Sequence, residues 1–230
     1  MVSRRGQTLD GTAVDQAKRH LSRAGRARQA LSIAKTIEET RSAWSDFLNA
    51  VAAIYEILKV GSGKYGSSAG WYGRVIKERK QDELLRYLHH ARNSDYHGLE
   101  EVTGDKGLRV LRLMPDGTYA GAMTTDSGDG DLSSFRSGVI NPDGTQTIIT
   151  TPIIQTKFAT LVAVTDELHG DRFEVPTRHW GEDYNFHEPI NAAATATPYL
   201  EALVCVADEL SLAKLGRVEV RGIRQTIKAR

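Results

Sequence analysis

The chain is predicted to fold as an α+β protein, a helical bundle carrying an inserted antiparallel β segment, and three observations predict it. Apolar residues recur at helical spacing from about residue 12 to about residue 98, change to period two after about residue 103, and return to helical spacing near residue 198. Turn sequences punctuate the middle part, Pro115-Asp116-Gly117 and Asn141-Pro142-Asp143-Gly144, where glycine supplies the positive φ of tight hairpins. The late helix has an apolar stripe that must be buried, and the N-terminal helices are the available partners.

Taken in order, Val14, Ala17, Leu21, Ala24, Leu31 and Ala34 make one stripe on a helix from about 12 to 38. Trp44, Phe47, Leu48, Val51, Ile54, Tyr55 and Leu58 make the face of a second, expected to end before the Gly- and Ser-rich stretch 61–68. A third region runs from about Ser68 through Trp71, Val75 and Ile76 and bends near Gln81-Asp82. It resumes with Leu84, Leu85, Leu88 and Ala91 toward His97, with Gly98 as the stop. Strands are expected from Leu108 to Leu113 and around 118–124, 135–140, 145–154, 158–166 and 171–175, all rich in Thr, Val and Ile. Thr197 is the expected N-cap of the closing helix, Pro198 its first residue, and Gly216 its end. The organisation expected is a bundle of residues 12–101 plus 198–213, a β insertion over 103–176, a connecting loop over 177–197, and a basic tail or strand over 214–230.

With 40% hydrophobic and 26% charged residues among 230, the chain can bury a core without disulfides or metal, which excludes a disordered or fibrous class. Cys205 is the only cysteine, so no disulfide forms within the chain and a reducing cytoplasm is the expected location. No apolar stretch follows the charges of Met1 to Gly6, so a secretory signal is not expected, and no run long enough for a membrane-spanning helix is evident. The net charge of +1 hides an uneven distribution. Residues 1–35 carry eight Lys and Arg against Asp10 and Asp15, and residues 214–230 carry six against Glu219. Basic ends on an acidic body can steer the chain toward a polyanion, although basic termini also serve simply to solubilise.

The stretch with most chemistry is Leu84-Leu85-Arg86-Tyr87-Leu88-His89-His90-Ala91-Arg92-Asn93-Ser94-Asp95-Tyr96-His97-Gly98. On a continuous helix His89, Asn93 and His97 share one face, with Arg92 beside them, and so dense a polar cluster points to a cleft. Arg92-Asn93-x3-His97, preceded by an alanine at the end of a helix, resembles the Arg-polar-x3–5-His motif of HEPN domains, which are small α-helical bundles. The resemblance covers roughly residues 12–101, with the closing helix 198–213 added. It implies a metal-independent, cofactor-free endoribonuclease acting as a homodimer, with RNA cut through its 2′-hydroxyl at a composite site. Carried over, His97 is the general acid or base, Arg92 holds the scissile phosphate, and Asn93 orients the histidine or the phosphate.

Around that site His89, His90 and Lys64 are expected to touch substrate, and Arg23 and Arg26 to contact the RNA backbone. The alternative is a non-catalytic RNA-binding or protein-interaction module of a toxin–antitoxin or phage-defence system, with a cognate antitoxin or defence protein as its partner. Metal ligation by His89, Asp95 and His97, or by His179, Glu182, Asp183, His187 and Glu188, fits no established spacing, so no metal is expected. The second of these stretches reads as a structured loop whose aromatics dock on the bundle. Asp126 to Asp131 reads as a hairpin tip, the 61–70 loop as a possible flap, and Cys205 as a small buried apolar residue.

Overall fold

A computed structural model describes residues 9–63, 66–94, 99–101, 108–113, 119–124, 134–140, 145–157, 159–165 and 170–212. Five helices lie among them: α1 (Gly11–Ile33), α2 (Ile37–Ser62), α3 (Ser67–Gln81), α4 (Glu83–Ala91) and α5 (Pro189–Leu212). Between α4 and α5 run short antiparallel strands, so the α+β class holds.

Helix α1 starts where the Asp10 side chain accepts the Thr12 N–H at 2.9 Å. Its buried face is mostly alanine (Ala13, Ala17, Ala24 and Ala27, with Val14 and Leu31), which lets α2 approach closely. The stripe does not continue to residue 38. Thr36 and Glu39 form a capping box, with the Glu39 N–H on Thr36 Oγ1 at 3.1 Å and the Thr36 N–H on Glu39 Oε2 at 3.2 Å, and this starts α2 at Ile37. The backbone N–H groups of Lys35 and Thr36 hold the Glu39 carboxyl below its usual range. Trp44, Phe47, Leu48, Ile54 and Leu58 fill the core from α2. This helix runs through Gly61 to Ser62, beyond its expected end, and Gly61 packs against the start of α1. Its carbonyl accepts the Asp10 N–H at 3.1 Å, and a Cβ there would collide with the Ala13 methyl.

The bend between α3 and α4 is where expected, and Asp82 makes it. Its Oδ1 accepts the Leu85 N–H at 3.0 Å as the N-cap of α4 and meets His179 Nδ1 at 3.0 Å, while Oδ2 accepts the Trp180 N–H at 2.8 Å. One carboxylate thus joins a helix start to a hairpin about a hundred residues later. In that hairpin β9 (Arg178–His179) pairs with β10 (Glu182–Asp183) across Trp180 (φ 52°) and Gly181 (φ 82°), the two left-handed residues of a type I′ turn. Tryptophan is strained in that conformation. The Asp82 hydrogen bond and the stacking of Trp180 on His179, with centroids 4.9 Å apart, hold it there. Burial alone would raise the Asp82 carboxyl, but the hydrogen bonds from His179, Leu85 and Trp180 outweigh it and hold the group below its ordinary value.

Helix α4 stops at Ala91, short of the expected His97, and Arg92 to Ser94 form a turn. Beyond it β1 (Leu99–Glu101) pairs with β6 (Ala159–Leu161). Within that span β2 (Leu108–Leu113), β3 (Tyr119–Thr124), β4 (Ser134–Ile140) and β5 (Gln146–Lys157) form an antiparallel sheet in the order β3-β2-β5-β4. The expected strands at 158–166 and 171–175 are shorter: β6, β7 (Val164–Thr165) and β8 (Arg172–Phe173). The expected turns 115–117 and 141–144, the tip 126–131 and the strand near 218–223 lie outside the described residues. Strand β6 ties the sheet region to the bundle. The Leu161 N–H and the Thr160 hydroxyl both donate to the His187 carbonyl at 2.8 Å, and the Tyr87 hydroxyl donates to the Val162 carbonyl at 2.7 Å.

Helix α5 begins at Pro189, not at Pro198, so the expected connecting loop 177–197 instead holds the hairpin and the first turns of a helix. Thr197 is no cap. Its hydroxyl donates to the Ala193 carbonyl at 2.7 Å inside the helix. The buried alanines 192, 193 and 196 favour helix strongly enough to carry it through Pro198, whose ring faces outward. By length and composition α5 is apolar enough to cross a membrane (mean hydropathy 1.2), contrary to the expectation that no such run exists, but 61% of that window is buried in the protein. Cys205 on this helix is half-buried rather than fully enclosed.

Two stability predictions follow from these contacts. Asp82→Ala removes a cap and two further hydrogen bonds, so urea unfolding should show a loss of about 2–4 kcal/mol. Because the Asp82 carboxyl is depressed in the folded state, its contribution is present above pH ~4 and lost as the pH falls further, and the variant should lack that acid-side decline. Gly61→Ala should cost about 1–3 kcal/mol by forcing α1 and α2 apart.

Candidate functional site

Helix α4 is held as a rigid element. Leu84, Leu85, Tyr87, Leu88 and Ala91 are buried on one face, its N-terminus is capped by Asp82, and Glu83 Oε2 accepts the Thr177 N–H and hydroxyl at 3.1 and 3.2 Å. The remaining side chains of its last turns, Arg86, His89 and His90, are polar and positioned by that packing.

Arg92 and Asn93 follow directly and are both exposed. Arg92 Nη1 donates to Asn93 Oδ1 at 3.2 Å, a contact the sequence reading did not foresee. That contact uses one of the five N–H donors of the guanidinium. A cation at the C-terminal end of a helix is also favoured by the helix dipole. Together they present a positive, hydrogen-bonding fork suited to a phosphate.

The histidines divide. His90 is stacked face to face on Phe173, with centroids 3.6 Å apart and planes at 10°, and Arg86 lies over the same ring at 5.9 Å. Its ring face therefore packs β8 onto α4. His89 meets His90 edge-on at 5.0 Å. Burial, aided by Arg79 and His90, pushes its imidazole down to about 4, so at neutral pH it is the neutral ring and lacks the imidazolium proton that a general acid gives. The helix has ended before Asn93, so His89 and Asn93 do not share the helical face expected of them. His97 and Lys64 lie outside the described residues.

Arg23 and Arg26 sit elsewhere, on α1, lining a groove of about 490 Å³ formed with α2. The sequence reading overlooked the residues that complete this groove, His20, Asp46 and Asn49. Their spacing along two amphipathic helices was the available signal. It also overlooked the Asp82–His179 pair, for which a separation of 97 residues leaves no local sign. Among the described residues no three His, Cys, Asp or Glu side chains converge as metal ligands.

Since the His89 ring is held neutral by burial, the unfolded chain takes up a proton first as the pH falls from about 6.5 toward about 4, and stability falls with it. An NMR titration of its ring should give a midpoint near about 4, and His89→Gln should remove that part of the decline. A midpoint near the unperturbed value contradicts the packing described.

No protein family, curated protein or solved structure matches this chain.

Proposed function

We propose that the protein is a metal-independent endoribonuclease of HEPN type, with Arg92, Asn93 and His97 as its catalytic residues. The observation that carries this reading is the exposed, hydrogen-bonded pair Arg92–Asn93 at the end of a helix whose other face is locked into the bundle. It rests also on the likeness of Arg92-Asn93-x3-His97 to the HEPN motif. In this mechanism a base takes the proton of a ribose 2′-hydroxyl, the 2′-oxygen attacks the adjacent phosphorus, and the bond to the 5′-oxygen breaks as that oxygen gains a proton. His97 performs one or both transfers. Arg92 binds the non-bridging oxygens and stabilises the charge that grows on them, with Asn93 steering its fork. Two chains acting together, in a reducing cytoplasm, bring two such motifs to one strand of RNA.

A second reading has one observation in its favour. The helix expected to carry His89, Asn93 and His97 on one face, with Arg92 beside them, ends at Ala91, which suits a non-catalytic RNA-binding or partner-binding module of a toxin–antitoxin or defence system.

Incubation of the purified protein with end-labelled RNA in EDTA separates the two. The nuclease reading predicts cleavage that falls by about a hundredfold or more in Arg92→Ala and in His97→Ala. Intact RNA with a salt-sensitive gel shift supports the binding module, and cleavage that requires a divalent ion overturns the mechanism.

A further inference from the structure

The groove between α1 and α2 has a composition that Arg23 and Arg26 alone do not explain. His20, Arg23 and Ala27 recur at steps of three and four on α1, with Arg26 beside them, and on α2 Asn49 and Ala50 lie three and four residues after Asp46. Alanines at the contact, Ala27 and Ala50, let the helices close while leaving an apolar floor.

Some surface cations elsewhere on the protein are held by carboxylates. Lys18 is matched by Asp208 at 2.8 Å, Arg172 by Glu174 at 2.8 Å, and Arg178 by Asp183 at 2.8 Å. The surface hollow beside Phe173 contains such a pair, Arg172 with Glu174. Among the described residues, by contrast, neither Arg23 nor Arg26 forms an ion pair, although Asp46 lines the same groove. Partial burial first, and then Arg23 and Arg19, lower the His20 imidazole below its ordinary value.

A simple anion would gain from the arginines but be repelled by the Asp46 carboxylate. A ligand carrying both an anion and hydrogen-bond donors satisfies both walls. Asn49 adds an amide that reads donors and acceptors, its Nδ2 reaching Ser45 Oγ at 3.4 Å. The volume of about 490 Å³ lies within the range of small-molecule sites.

We propose that this groove binds a ribonucleotide unit, with its phosphate on Arg23 and Arg26 and its ribose hydroxyls or base edge on Asp46 and Asn49. The site is built from α1 and α2 alone and does not depend on cleavage at Arg92. The ligand is either a free nucleotide or one unit of an RNA strand, and both present the same chemistry.

The test is fluorescence anisotropy of fluorescein-labelled hexauridylate with the full-length chain in an Arg92→Ala background, which keeps the probe whole if the nuclease reading holds. Arg23→Ala/Arg26→Ala should weaken binding by about tenfold or more and reduce the salt slope by about 1.4, the value for two phosphate contacts on a single strand. Uridine 5′-monophosphate should displace the probe where inorganic phosphate at equal concentration does not. Asp46→Ala should narrow that difference. Uridine monophosphate binding within about threefold of the hexamer assigns a free nucleotide, and tightening with length assigns an RNA strand. Both arginines are exposed, so thermal unfolding of the double variant should match its parent. Probe binding unchanged in the double variant overturns the proposal. So does equal displacement by phosphate, which marks an adventitious ion only.

Discussion

Helix α5 has to be covered over most of its circumference, and the bundle is arranged around that requirement. Ala193, Tyr199, Leu200, Leu203, Val204, Val206 and Ala207 are buried on it, while a stripe of Asn191, Ala194, Pro198, Glu201 and Glu209 meets solvent, and so wide an apolar face is stable in water only against other structure. The alanine face of α1 and the large side chains of α2 supply the cover. Lys18 of α1 and Asp208 of α5 add an ion pair at the rim, which holds the Lys18 ammonium above its usual range chiefly through the Asp208 hydrogen bond. The strand region must rejoin the bundle just before this helix, and the shared His187 carbonyl is where it does. Trp180, edge-on to Tyr199 at 5.5 Å, closes the same helix from the hairpin side.

That arrangement decides which polar groups serve structure and which remain free. The pair Asp82–His179, 5–6% exposed, is committed to joining α4 to the hairpin, and removing either partner would strand the other in a dry setting. His90 is committed to Phe173. Arg92 and Asn93 are past the end of α4, beyond the reach of the core, and bond to each other. Their position follows from how α4 is anchored: a capped N-terminus and a buried face leave the last turn and its successors fixed in place but open to solvent.

The helices were legible because their apolar spacing is strong, and the bend at Asp82 because charged and polar residues interrupt that spacing there. The boundaries were less so. The break after Ile33 depends on the reciprocal Thr36–Glu39 capping box, whose side chains interrupt an alanine-rich stripe that otherwise reads as continuous. The start of α5 was misplaced because Thr197-Pro198 carries a capping signature, which the burial of three preceding alanines overrides. Gly61 reads as a breaker in isolation and is instead the contact point of two helices. In the candidate site, the order Arg92-Asn93 was legible from the motif, whereas the hydrogen bond between the two side chains was not expected. The end of α4 at Ala91 was not, since the polar pattern to residue 97 fits helical spacing equally well.

The central claim is that the 2′-hydroxyl of RNA is the nucleophile at the Arg92 site, and the chemistry of the product ends tests it most directly. RNA cut by the purified chain in EDTA should carry 2′,3′-cyclic phosphate and 5′-hydroxyl termini, because the 5′-oxygen is the leaving group. Products bearing 3′-hydroxyl and 5′-phosphate ends would contradict the account, since they require water, not the ribose, to attack phosphorus.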